Sequence, residues 1–270
     1  MATRLTHLAD ARTAIADITP SFVRLVRESA HDGPVVGHWG TAEVACHVCH
    51  VVNADTDVLA GRPLPTAELT PAAVAVLTDA MLADDPERDV GVLADRIETL
   101  LADFLAVSNA PVSEEVTWLG GIRLPASAVA CHLLEELLVH GFDMATATNR
   151  AWKIAPAHAA LAVAGAAVPI LTAAGPTAFV HPKRAQGFCA RFDVRLRGHQ
   201  RFTFVFDDGL TIGDDTSEPV DAHVSADPVS MLLLMLGRVR PTRAILGGKI
   251  AAWGRRPWRL RRMLTVMAPP

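Results

Sequence analysis

The sequence contains no tyrosine, and aromatic residues make up only 5% of it. Stacking platforms for nucleic-acid bases are built from such rings, so their scarcity argues against a single-strand binder. Positive charge is not in excess either: 25 Lys and Arg stand against 29 Asp and Glu, a net charge of −4. A chain without a basic field does not hold a phosphate backbone by bulk electrostatics. Four cysteines in 270 residues are too few for a disulfide scaffold and point to reduced thiols. The first ten residues, MATRLTHLAD, alternate polar and apolar side chains and lack the unbroken apolar core of a secretory leader. The expectation is a cytoplasmic protein without a nucleic-acid partner. A long uncharged run occurs at 159–180, AALAVAGAAVPILTAAGPTAFV. Ala and Gly supply much of it, Pro169 interrupts it, and Gly175-Pro176 breaks it again, so it reads as a buried helix of about 156–173 and a turn rather than a membrane span.

Apolar residues, by contrast, are plentiful: half the chain is hydrophobic, and its length suits two domains. Residues 1–150 read as helices. Leu5, Leu8, Ala11, Ile15, Ile18, Phe22, Leu25 and Val26 recur mostly at three- and four-residue steps, with Pro20 a kink point and Asp32-Gly33-Pro34 a stop. A second helix begins near Gly40-Thr41, with Glu43 in its first turn where the helix dipole favours an acid, and runs to about Ala60. Gly61 to Pro65 is a loop. A third helical region covers about 71–108 with a break at Asp85-Pro86, residues 109–123 form a loop, and a fourth helix covers about 124–147 before Asn149-Arg150. Four helices joined by loops suggest a bundle. The pattern then changes. Residues 188–197, 201–207, 210–212 and 220–225 read as strands, with turns at Gly198-His199 and Asp208-Gly209, and Asp227-Pro228 opens a helix through Leu236. The expected architecture is an all-α domain, 1–150, followed by a small α+β domain, 151–270.

Helix four carries a chemical problem. Glu136 and His140 are four residues apart and lie on one face with Val129, Leu133, Leu137 and Met144. An ionised carboxylate on an apolar face costs several kcal/mol unless compensated. Glu135 points roughly 100° away and reads as surface. A metal ion would compensate Glu136; so would Arg123 or water. His132 shares the face but stands eight residues from His140, about 12 Å along the axis, too far for one ion to bridge both. A third ligand must come from another helix. His47 sits at the edge of the apolar stripe of helix two (Val44, Val48, Val51, Val52, Val58, Leu59), while His50 lies about 60° further round. A His–Glu–His set with an open fourth position is catalytic-zinc chemistry. Asp143, three residues after His140, would orient that imidazole; its plainer reading is a solvated residue near the helix end.

Cys46-His-Val-Cys49-His50 also reads C-x-x-C-H, the attachment pattern of c-type haem. Without an export signal it reads instead as two semi-exposed cysteines off the apolar stripe. No second cysteine pair follows to complete a zinc site.

At His47 the residues resemble a known family. Trp39-Gly-Thr-Ala-Glu43-Val-Ala-Cys-His47 resembles the W-[ST]-x-x-[DE]-x-x-x-H segment of the DinB-like, mycothiol-dependent maleylpyruvate isomerase family, with the hydroxyl residue offset by one. Glu136-Leu-Leu-Val-His140-Gly-Phe-Asp143, followed by small residues, resembles that family's E-x-x-x-H-x-x-D signature. The resemblance covers most of residues 1–150. It implies a DinB-like four-helix bundle, zinc held by His47, Glu136 and His140, and mycothiol, a low-molecular-weight thiol, as cosubstrate. The second domain resembles the sterol-carrier-like module joined to such bundles, through Phe202–Asp208, Asp227-Pro228, Leu236-Gly237-Arg238 and Gly247-Gly248-Lys249. Arg238 matches an arginine that the isomerases place near substrate, and its planar fork would bind a carboxylate; its plainer reading is a surface or helix-end arginine. Because the second domain reads as longer than theirs, thiol S-transfer to an electrophilic small molecule is favoured over cis–trans isomerisation. The competing reading is a non-enzymatic carrier of small apolar ligands. A homodimer is a candidate assembly, with no membrane partner.

Overall fold

The computed structural model describes residues 2–29, 33–64, 69–214 and 217–268, with side chains from His7 onward. Leu5 of the first apolar stripe, Asp32 of the first stop signal and Pro65 of the following loop fall outside the described side chains and residues. The chain divides into two compact units, Met1–Glu68 with Ala72–Ile154, and Ala155–Pro270 with Leu69–Pro71.

In the first unit, α1 (Ala2–Glu28), α2 (Thr41–Leu59), α4 (Val90–Asn109) and α5 (Ala126–Ala147) supply the core, and α3 (Pro71–Asp84) precedes α4. Helices α1 and α2 each pack on both α4 and α5. Helix α1 runs through Pro20 without ending. Glu43 accepts a hydrogen bond from the Gly40 N–H, at 3.0 Å, and so satisfies a donor at the start of α2. Gly61 closes α2 with φ +76°, a left-handed position suited to glycine. The break expected at Asp85-Pro86 separates α3 from α4: proline disfavours helix at the residue before it, and the Asp89 carboxylate caps α4 by accepting from the Gly91 and Val92 N–H groups at 2.7 and 3.0 Å. The stretch read as a plain loop contains a two-stranded antiparallel hairpin, β1 (Glu115–Thr117) and β2 (Arg123–Pro125).

The wide packing of α2 and α5 corrects two expectations. Helix α2 faces two neighbours, so its buried arc is broader than one apolar stripe, and Cys46 and Cys49 are fully buried rather than semi-exposed. Helix α5 is enclosed on nearly every side, and Glu135, read as surface, is buried.

The second unit opens on a helical run, Pro156–Ala174, in which α6 (Pro156–Ala162) and α7 (Val168–Ala174) are joined through one π-helical segment at Val163–Ala167. Among the described residues this is the one helix long and apolar enough to cross a membrane, but it packs on Leu210–Gly213 and Pro228–Met235 of its own unit, as expected for a core helix. After α8 (Pro182–Ala185) come β3 (Ala190–Leu196), β4 (Arg201–Phe206), β5 (Leu210–Gly213), β6 (Ala222–Ala226), α9 (Pro228–Met235), α10 (Pro241–Leu246), β7 (Ile250–Trp253) and α11 (Arg259–Val266). The sheet order is β5-β4-β3-β6-β7, with β3 and β6 parallel and every other pair antiparallel. Alternation puts Phe192, Val194, Phe202, Phe204 and Phe206 in the core. Asp193 also lies fully buried, held by Arg195, Arg201 and His223. Strand β7 was not read from the sequence, where four residues between glycine-rich segments give too short a pattern.

Candidate metal centre

Two helices of the first unit bring the predicted residues together. His47 of α2 and Glu136 and His140 of α5 present ligand atoms within 4.8 Å of one another. The Glu136 carboxylate is the hub: its Oε2 lies 3.3 Å from His47 Nε2 and 3.1 Å from His140 Nε2. The two imidazole rings are 5.1 Å apart and nearly perpendicular, and the Trp39 ring lies 5.3 Å from that of His47. Bonds of roughly 2.0–2.2 Å to a tetrahedral ion place ligand atoms about 3.4 Å apart, so this donor set fits zinc. Side-chain exposures of 15%, 21% and 8% for His47, Glu136 and His140 make Glu136 and His47 the more accessible members of the group.

Ionisable residues surround the carboxylate and the imidazoles. Asp143 is buried rather than solvated, and its Oδ2 lies 3.3 Å from His140 Nδ1, the position from which a carboxylate orients a ligating imidazole. His132 stays outside the ligand group, as the axial rise requires, and reaches the other Glu136 oxygen at 3.4 Å. Behind it lies Asp55 of α2, which sequence reasoning missed. Its Oδ2 is 2.8 Å from His132 Nδ1, and its Oδ1 accepts from the Trp118 indole at 3.0 Å. A signal existed: Asp55 continues the apolar face of α2 through Val48, Val52 and Leu59 at four- and three-residue steps, where an acid needs a partner. Arg123, the alternative partner for Glu136, instead pairs with the exposed Glu115 at 3.2 Å.

Electrostatics follow from this wiring. Burial opposes the ionised Glu136, yet contacts from His132, His140 and His47 hold its carboxyl well below the usual range. Burial pushes the His47 imidazole down, and Glu136 offsets only part of that. His140 goes the other way: burial opposes its charge, but Asp143 and Glu136 raise it to about 9. His132 is raised well above its ordinary value, against burial, by Asp55 and Glu136.

Gly141 explains how α5 is seated beside this group. A Cβ there would meet the Trp152 ring at 2.4 Å, and that ring is fixed by its indole bond to the Leu138 carbonyl, at 2.9 Å, and by an edge contact with Phe22. Gly141→Ala is therefore expected to destabilise the protein by about 1–3 kcal/mol despite the better helix propensity of alanine. A denaturant midpoint unchanged or raised would contradict this.

Arg238 lies in the second unit, directly after α9. Its backbone N–H donates to Leu233 O and its guanidinium to Leu236 O, both at 2.7 Å, so it closes the end of that helix.

The molecule thus joins a helical unit bearing a convergent His–Glu–His set to an α+β unit with a five-stranded sheet. Residues 180–254 match the SCP-2 sterol transfer family. The whole fold resembles the crystal structure of the mycothiol-dependent maleylpyruvate isomerase, with a TM-score of 0.53 and 15% identity, over 86% of this chain and 90% of that one. A histidine-to-alanine mutant of the mycothiol-dependent maleylpyruvate isomerase matches with a TM-score of 0.53 and 14% identity, over 91% of this chain and 92% of that one. No curated protein matches in sequence. The alignments extend into both units, so the second domain is not the gross departure in length that the sequence suggested.

Proposed function

We propose that this protein is a zinc-dependent enzyme that activates a low-molecular-weight thiol, mycothiol, for attack on an electrophilic small molecule; the ligand set serves S-transfer and isomerisation alike, and S-transfer is the first reading. The observation that carries this reading is the convergence of the His47, Glu136 and His140 donor atoms; three protein ligands would leave a tetrahedral ion one position for a thiol. Bound there, the cation would supply Lewis acidity that stabilises a thiolate at neutral pH. The chain's own residues do the rest. Glu136 contributes negative charge, Asp143 and His132 hold the donor atoms in place, and the Trp39 ring walls the His47 side. The helical unit is the DinB-like four-helix bundle in this reading, built from α1, α2, α4 and α5. Arg238 is the candidate contact for a substrate carboxylate. Arg238→Lys keeps the charge but loses the fork, and is expected to raise KM for an anionic electrophile with kcat little changed.

A second reading, thiol-dependent cis–trans isomerisation of a maleylpyruvate-type substrate, is favoured by the fold likeness. The same thiolate adds to an activated alkene, the bond rotates, and the thiol leaves. Product analysis with mycothiol separates the two: a stable thioether supports transfer, and an isomerised product with thiol recovered supports the alternative. No turnover with any thiol would remove both.

Zinc binding has a definite pH dependence. His140 is protonated below about 9 and must lose that proton to ligate. Affinity therefore rises as pH climbs from neutrality towards 9, with about one proton released per zinc near neutral pH. Calorimetry in buffers of different ionisation enthalpy measures the release; zero release near neutral pH contradicts the assignment of His140.

A further inference from the structure

The C-x-x-C-H segment of α2 is used by the centre above only through His47. Cys46 and His50 point elsewhere. One helical turn apart, they meet Asp85, the first residue after α3. Cys46 Sγ lies 3.6 Å from His50 Nε2, and His50 Nε2 lies 3.3 Å from Asp85 Oδ2. All three ligand atoms fall within 4.8 Å of one another. We propose that Cys46, His50 and Asp85 form a second divalent-metal site, for zinc or a cation of like preference, distinct from the His47–Glu136–His140 centre.

Spacing supports this. An N–H···O hydrogen bond prefers about 2.9 Å, and the His50–Asp85 separation is longer. A tetrahedral ion with roughly 2.3 Å to sulfur and 2.0–2.1 Å to nitrogen and oxygen sets its ligand atoms about 3.3–3.6 Å apart, which the Cys46–His50 and His50–Asp85 separations match. Thiolate, imidazole and carboxylate together suit zinc and disfavour calcium or magnesium. The carboxylate is also positioned as a ligating one is. Arg96 Nη1 donates to Asp85 Oδ2 at 2.6 Å, the Glu87 N–H donates to Asp85 Oδ1 at 3.2 Å, and Arg88 Nη1 donates to the Asp85 carbonyl at 2.6 Å. Cys46 is fully buried, while the His50 and Asp85 side chains are 20% and 15% exposed, so a cation enters from their side. On binding, the Cys46 thiol gives its proton to solvent and sulfur donates to the metal. The fourth position falls to water.

The test exploits sulfur, which the first centre lacks. The full-length protein is stripped of metal and titrated anaerobically with cobalt(II). The expected result is two equivalents bound and a thiolate-to-cobalt charge-transfer band in the near ultraviolet. Cys46→Ser and His50→Ala should each lose that band and one equivalent, while His47→Ala keeps the band and loses the other equivalent. Absence of the band in the wild-type protein at saturation overturns the proposal. So does its persistence in Cys46→Ser, which would assign it to another cysteine, such as the neighbouring Cys49 or the exposed Cys189. Should Cys46→Ser fail to fold by circular dichroism, retention of the band in His50→Ala is the overturning result. Failure of the first centre alone would show as a sulfur band with a single equivalent, so the two assignments fall separately.

Discussion

Replacing His47 with alanine is expected to abolish thiol-dependent turnover and to remove zinc from the His–Glu–His centre. Only one ligand of that centre comes from α2; without it, Glu136 and His140 are left as a pair on one helix. Loss of a partner behind a ligand typically costs about 10–100-fold in metal affinity, so loss of a ligand itself should cost more than about 100-fold. The fold should survive, because the His47 side chain is at the edge of the core and partly exposed. Metal analysis of protein purified without added zinc, paired with a thiol-dependent assay, checks this. Any zinc that remains should belong to Cys46, His50 and Asp85. Full turnover in His47→Ala would remove the centre from the mechanism.

The second large effect concerns Asp55. Its carboxylate is 1% exposed at the residue level and is the partner of both the His132 imidazole and the Trp118 indole. Asp55→Ala leaves the charged His132 imidazole with Glu136 alone and the Trp118 indole N–H without its acceptor. Breaking such a buried pair costs about 3–5 kcal/mol. The same change frees His132 from one end, so Glu136 loses a fixed neighbour and zinc affinity should drop about 10–100-fold. Asp55→Asn preserves shape and an acceptor for Trp118, and should lose less of both. Denaturant unfolding and zinc titration of the two variants measure it. Equal stabilities for wild type and Asp55→Ala would show that the network holds nothing together.

How much of this was legible depends on how local the cause was. Glu136 and His140 could be paired because four residues on a helix fix a shared face. His132 could be kept out of the ligand set because helical rise fixes an axial distance. Strands β3 and β4 were visible because their phenylalanines and valines alternate across a short turn. The Asp55–His132 contact was not, because the two residues stand 77 positions apart and meet only when α2 packs on α5. The burial of Cys46, Cys49 and Glu135 was misread for a related reason. A helix wheel with one apolar stripe assumes one neighbour, and α2 and α5 each pack on two or more elements. Asp85 was noted only as a helix break; its role beside Cys46 and His50 depends on where the chain leaves α3.

The uneven burial of the helical unit has an energetic consequence. Among the described residues of α3, only Leu82 is buried, and Val76 is 71% exposed, whereas α5 is enclosed on nearly every side. Peeling α3 away exposes less apolar surface than freeing α5, so α3 is expected to open at lower free energy than α5. The helix that carries Glu136 and His140 is thus expected to lose its structure after the segment that leads to Asp85.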